Sequence, residues 1–318
     1  MKKSTSFHRI NNDKGIGYFK KLLWYIFNFL SNYYKPNAIS PKLTVKKYIC
    51  DELNNKWDDP NLYIDSSPQR KLSDLFIADF PWDYYKKILN GLNIMDVGCG
   101  SGSYGKRINS YSGLDSYFGV DYKTRENWSI IKKELPNFNF KKLDVENIEG
   151  KIPLGTNLFF SISAIEHFDY DLKYFNDIKE FIRKTNRKVL QLHFFPSSEC
   201  LRLQLFHGVR QYNPRKVSLI TDLFYPNSKA TLYSLGGSNC NQVYFEYITN
   251  PMFGITSILK RKLIKRSILN GELIYDRRDS EPHNYNKKLF NGIKKDMEKP
   301  SIIDSTFYSL VIESNFEK

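Results

Sequence analysis

Between residues 92 and 194 the apolar positions fall in short runs at regular intervals, with amphipathic stretches between them. Leu92–Val97, Tyr117–Asp121, Asn139–Leu143, Leu158–Ser163 and Lys188–Phe194 read as strands, and Trp128–Leu135 and Leu172–Lys184 as intervening helices. Strands alternating with helices predict an α/β fold whose sheet is parallel and covered on both faces. Upstream, Pro68 opens one helix and Pro81 resets the chain for another ending near Gly91, because proline is tolerated in a helix's first turn. Tyr18–Tyr34 is a further helix candidate stopped by Pro36, and the polar residues 1–14 are expected to be mobile. Downstream, Gln242–Ile248 and Thr306–Ile312 read as strands flanking a mostly helical insert.

With 41% hydrophobic and 15% aromatic residues the chain is globular. The net charge of +14 suggests nucleic acid until its distribution is read. Residues 1–50 hold ten Lys/Arg against the single acid Asp13, a local +9 that leaves the remainder only mildly basic. Nucleic acid is therefore an unfavoured partner. The insert segment Ile255–Leu269 carries five basic residues, read as a solvated helix face with an anionic partner as the alternative. Cys50, Cys99, Cys200 and Cys240 have neither metal-ligand nor disulfide-framework spacing, so no metal is expected. The longest apolar run, Leu22–Leu30, contains Asn28 and falls short of the ~20 residues a spanning helix needs. A cytoplasmic location follows as the expectation. Tyr18–Tyr34 packs either on the body or a second subunit, or lies at the inner face of a membrane.

The chemistry gathers at strand ends. Asp96-Val-Gly98-Cys-Gly100-Ser-Gly102 closes the first strand and enters a helix. Glycines let a ligand approach the backbone at the carboxyl end of a parallel strand. Gly100, Gly102 and Gly105 also fit the dinucleotide fingerprint, but Asp96 would repel a pyrophosphate and stabilise a cationic ligand. Asp121 ends the second strand, where a carboxylate can accept from both hydroxyls of a ribose. Asp144 and Val145 end the third, placed to take an adenine amine and ring.

Together these residues resemble a class I S-adenosylmethionine-dependent methyltransferase over residues 92–195: the glycine loop, Asp121, Leu143-Asp144-Val145, and Ser163-Ala-Ile-Glu166-His167 after the fourth strand. Asn157 departs from the acid that often opens that strand. The resemblance implies a Rossmann-like seven-stranded sheet whose last strand inserts antiparallel, N-terminal helices, a helical insert near the C-terminus, and S-adenosyl-L-methionine as cofactor. It divides the chain into a basic lead-in (1–88), a cofactor-binding core (89–195) and an acceptor-side region (196–318). Gln242–Ile248 and Thr306–Ile312 would be strands six and seven. Cofactor binding is then expected at Asp96, Gly98, Gly100, Gly102, Asp121, Asp144, Val145 and Ser163, with His167 and Glu166 catalytic.

A hydroxyl acceptor needs a base, and His167 is the first candidate, with His193 and His207 behind it. Phe206–Pro214 offers aromatic and Arg side chains suited to a sugar. The preferred acceptor is a sugar hydroxyl of a surface or lipid-linked glycan. Alternatives are a quinone-type small molecule, RNA ribose, an NAD-dependent oxidoreductase on the same sheet, and a non-catalytic binding subunit.

Overall fold

The computed structural model describes residues 3–33, 38–62, 66–144, 147–253, 268–269, 272–273, 278, 281–299, 302 and 304–316. Eight strands form its central sheet: β1 (Leu43–Lys47), β2 (Asn93–Val97), β3 (Ser116–Asp121), β4 (Phe138–Lys142), β5 (Leu158–Ile162), β6 (Val189–Pro196), β7 (Ser228–Leu235) and β8 (Phe307–Ser314). Their order is β1–β7–β8–β6–β5–β2–β3–β4. Every pairing is parallel except those of β8, which runs antiparallel to both β6 and β7. The last strand thus enters the sheet as expected.

Among the described residues, nine helices of seven or more residues pack around this sheet: α1 (Tyr18–Tyr33), α2 (Pro68–Asp79), α3 (Trp82–Leu89), α4 (Ser103–Ser112), α5 (Asn127–Glu134), α6 (Asp171–Thr185), α7 (Pro214–Thr221), α8 (Ser238–Tyr244) and α9 (Pro282–Met297). Central strands are buried on both faces, and all eight residues of β6 are buried. Leu190, Leu192 and Phe194 of β6 join a core with α2, α4, α8 and α9. Val189 and Phe195 join the opposite core with α6 and α7. The alternation follows from the two-residue period of a strand.

Three expectations are corrected. Gln242–Ile248 is helical, running from α8 into a π-helical turn over Phe245–Thr249. Cys240, Val243, Tyr244, Tyr247 and Ile248 are buried at i, i+3, i+4, i+7 and i+8, a helical stripe, and share a core with Tyr285, Leu289 and Ile293 of α9. The sixth strand is instead β7, and β1 adds an eighth beside it. Finally, residues 3–14 are tied down: Thr5 N–H donates to Asp171 at 2.9 Å, Asn12 N–H to the Gly208 carbonyl at 3.2 Å, and Lys14 pairs with Asp169 at 2.8 Å. The basic stretch of Ile255–Leu269 lies outside the described residues, which resume at Ile268.

Candidate active site

Register brings the first two acids to one edge. β2 pairs with β3 so that Asp96 lies beside Gly119 and Val97 beside Val120. The chain then turns sharply, with the N–H groups of Gly98 and Cys99 both donating to the Val120 carbonyl, at 2.8 and 3.0 Å. Gly98 sits at φ +77°, and a Cβ there would meet Cβ of Ala164 at 2.5 Å, so the glycine lets the chain after β5 close on the turn. Gly100, at φ +53°, has open space where a side chain would stand. Its N–H donates to Asp121 Oδ2 at 3.0 Å, and Lys123 N–H donates to Oδ1 at 3.0 Å. Asp121 therefore anchors the glycine turn, and each oxygen keeps a lone pair for a diol.

Asp96 is 1% exposed. Its Oδ2 accepts from the Tyr117 hydroxyl at 2.6 Å, while its Oδ1 has no partner among the described residues. Burial, opposed by that hydrogen bond and helped by the charge of Asp121, pushes its pKa up to about 7. A cation arriving at this oxygen would hold the ionised form; a phosphate would not.

Leu143 N–H donates to the Asp121 carbonyl at 2.9 Å, which sets the exposed Asp144 next to the second acid. Val145 lies outside the described residues. Ser163 is exposed at φ +47°, and its N–H donates to Phe194 at 3.0 Å, turning the chain out at the end of β5. Asn157 ties β5 to β2, accepting from Asn93 N–H at 2.9 Å and donating to the Gly91 carbonyl at 3.0 Å. Two aromatic residues beside the site were not singled out by sequence. Trp128 Nε1 donates to the Gly100 carbonyl at 2.8 Å, and Tyr122, next to Asp121, is 58% exposed.

Past Ser163, a short 3-10 turn over Ile165–His167 carries Glu166 and His167. Glu166 is buried, its Oε2 unpartnered among the described residues, and its Oε1 lies 3.9 Å from Nε2 of both His167 and His207. The two imidazoles meet edge-to-face with ring centres 4.7 Å apart. On its other side, His167 Nδ1–H donates to Asp13 at 2.5 Å. Burial lowers the His167 pKa, but the Asp13 hydrogen bond and the charges of Glu166 and Asp13 outweigh it, and the net shift is upward. Glu166, His167 and His207 place donor atoms within 4.8 Å of one another, a set that could also converge on a divalent ion. Sequence gave no metal spacing because His207 comes from a different loop. Asp13, likewise, carried no signal across the 154 positions to His167.

Three sequence candidates move away from the site. His193 is buried in the sheet, 2.8 Å from the Ser161 hydroxyl, and burial lowers its pKa to about 3; it is not on the rim. Arg210 is fully buried, holding the Phe168 and Asp169 carbonyls and Ser4. Tyr212 is also buried and donates to Asp171 at 2.9 Å. Of Phe206–Pro214, this leaves His207 rather than Arg210 on the acceptor side.

No protein-family model matches the chain, and no curated protein matches it in sequence. Solved structures do. The plantazolicin methyltransferase BpumL in complex with SAH is 12% identical over 83% of this chain and 94% of its own, with a TM-score of 0.40. Coclaurine N-methyltransferase bound to N-methylheliamine and SAH is 13% identical over 94% and 89%, with a TM-score of 0.46. A putative sarcosine dimethylglycine methyltransferase from Galdieria sulphuraria is 12% identical over 78% and 88%, with a TM-score of 0.43.

Proposed function

We propose that this chain is an S-adenosylmethionine-dependent methyltransferase acting on a hydroxyl group, with a sugar of a lipid-linked or surface glycan as the preferred acceptor. The observation that carries the cofactor is the pairing of two acids around one glycine turn: Asp121, bonded to Gly100 N–H, and the buried Asp96, whose Oδ1 has no partner among the described residues. The first suits ribose hydroxyls. The second suits an ammonium and a sulfonium and disfavours a dinucleotide pyrophosphate. Asp144, with Tyr122 as an exposed aromatic plane, would take the adenine. Bound there, the cofactor supplies an electrophilic methyl group on a cationic sulfur.

The chain's own residues do the rest. The acceptor must be aligned and kept from water, and its proton must leave. With Nδ1–H given to Asp13, His167 accepts through Nε2, on the side where Glu166 and His207 stand. Glu166 then faces the imidazolium that forms and stabilises it.

Calorimetry tests the cofactor. S-adenosylhomocysteine should bind at micromolar concentration and NAD far more weakly; NAD heat without S-adenosylhomocysteine heat defeats the reading. Asp121→Ala should weaken binding by roughly 1–3 kcal/mol, the cost of stranding hydrogen-bonding groups.

A further inference from the structure

Helix α1 is amphipathic the wrong way round for a surface helix. The residues it turns inward, Trp24, Asn28 and Asn32, recur every fourth position and dock mainly by hydrogen bonds. Trp24 Nε1 donates to the Gly208 carbonyl at 2.9 Å, Asn28 Nδ2 to Val209 at 3.1 Å, and Asn32 Nδ2 to Gln211 at 3.1 Å. Its outward face is apolar: Phe19, Leu22, Ile26, Phe29, Leu30 and Tyr33 are each 40–72% exposed. Lys20 is the one charged residue exposed on the helix, and it lies to the side of this stripe. Burying apolar faces drives packing in water, so a helix that spends its polar residues on the body and shows its apolar ones outward fits another apolar phase.

We infer that α1 is the face by which this protein rests on an anionic lipid bilayer, holding its acceptor side at the headgroups. Charge complementarity selects this occupant. The +9 on residues 1–50 is attracted to anionic headgroups, whereas two copies meeting through α1 would oppose two such segments. Among the described residues no helix can cross a membrane, so α1 lies along the surface, the geometry of interfacial helices. Placement adds the functional consequence. Trp24 packs on Phe206, ring centres 5.8 Å apart, and hydrogen-bonds Gly208, the neighbours on either side of His207. The link to a lipid-borne acceptor rests on the reaction proposed above; the docking itself does not.

The test is co-sedimentation of the full chain with phosphatidylcholine vesicles with and without phosphatidylglycerol. Binding is expected with the anionic lipid, weakened by salt. The double variant Ile26→Glu, Phe29→Glu, changed only on the outward face, should lose at least tenfold in partition while keeping its melting temperature and S-adenosylhomocysteine binding. Wild type staying in the supernatant at low salt overturns the inference, as does equal binding of the variant. Light scattering that shows a dimer which this variant splits, with no vesicle binding, assigns the face to a second copy instead. Vesicle binding without S-adenosylhomocysteine binding sinks the proposed reaction and leaves the docking intact.

Discussion

His167 is held between opposite demands. Two carboxylates, Asp13 and Glu166, favour its charged form, yet proton removal needs the neutral one. Because its pKa is raised from 6.5, the rise of rate with pH should lie above that value. Asp13→Asn removes a charge and weakens a hydrogen bond, so the same limb should move to lower pH; an unmoved limb in a pH–rate profile would take Asp13 out of the mechanism. The pair also contributes to stability only while both partners are charged. The His167 contribution is complete below 6.5 and fades as pH rises through its raised value. The Asp13 contribution is present above 3.8 and fades as pH falls through its lowered value. The melting-temperature gap between wild type and Asp13→Asn should therefore be widest between those limits. His167→Ala should cut turnover by roughly 10²–10⁴-fold, the range for a lost acid–base group, with S-adenosylhomocysteine affinity near wild type. Gly105 bears on the cofactor at second hand: a Cβ there would stand 2.3 Å from the Tyr117 ring whose hydroxyl bonds Asp96. Gly105→Ala should lower both cofactor affinity and melting temperature, read by calorimetry and thermal unfolding.

At the scale of elements, removing the anchor of α1 tests how firmly the N-terminus is built in. Trp24 is fully buried, so Trp24→Ala should cost about 3–5 kcal/mol in denaturant unfolding, as for other large-to-small core changes. A cost near zero would show that α1 contributes little to the stability of the body. What the sequence disclosed followed local pattern. β2 to β6 were legible because short apolar or alternating runs recur at regular intervals, with helical stretches between most of them, and Pro68 marked the start of α2. The glycine turn and its acids were legible because they are close neighbours along the chain. Gln242–Ile248 misled because its aromatic and β-branched residues suit a strand, while the stripe that makes it helical begins earlier, at Cys240. β1 and the strap of residues 3–14 gave no sign, since each is stabilised by partners more than a hundred positions away.

Across the whole molecule, both edges of the sheet end in a lysine pair, Lys46-Lys47 on β1 and Lys141-Lys142 on β4. Charged edges discourage pairing with another chain's strand. The strand order has a different consequence, in time rather than space. α1 leaves the ribosome well ahead of Gly208, the partner of its Trp24, which is 184 positions later. β1 waits for β7, and β7 joins β6 only through β8, which follows every other strand of this sheet along the chain. During synthesis the apolar stripe of α1 thus emerges long before the body that will carry it. Folding that depends on such distant pairings is slow and exposes aggregation-prone surface. A chain stopped before Phe307 should be recovered in the insoluble fraction, and ribosome-bound chains should stay sensitive to protease within α1 until the final strand has been released.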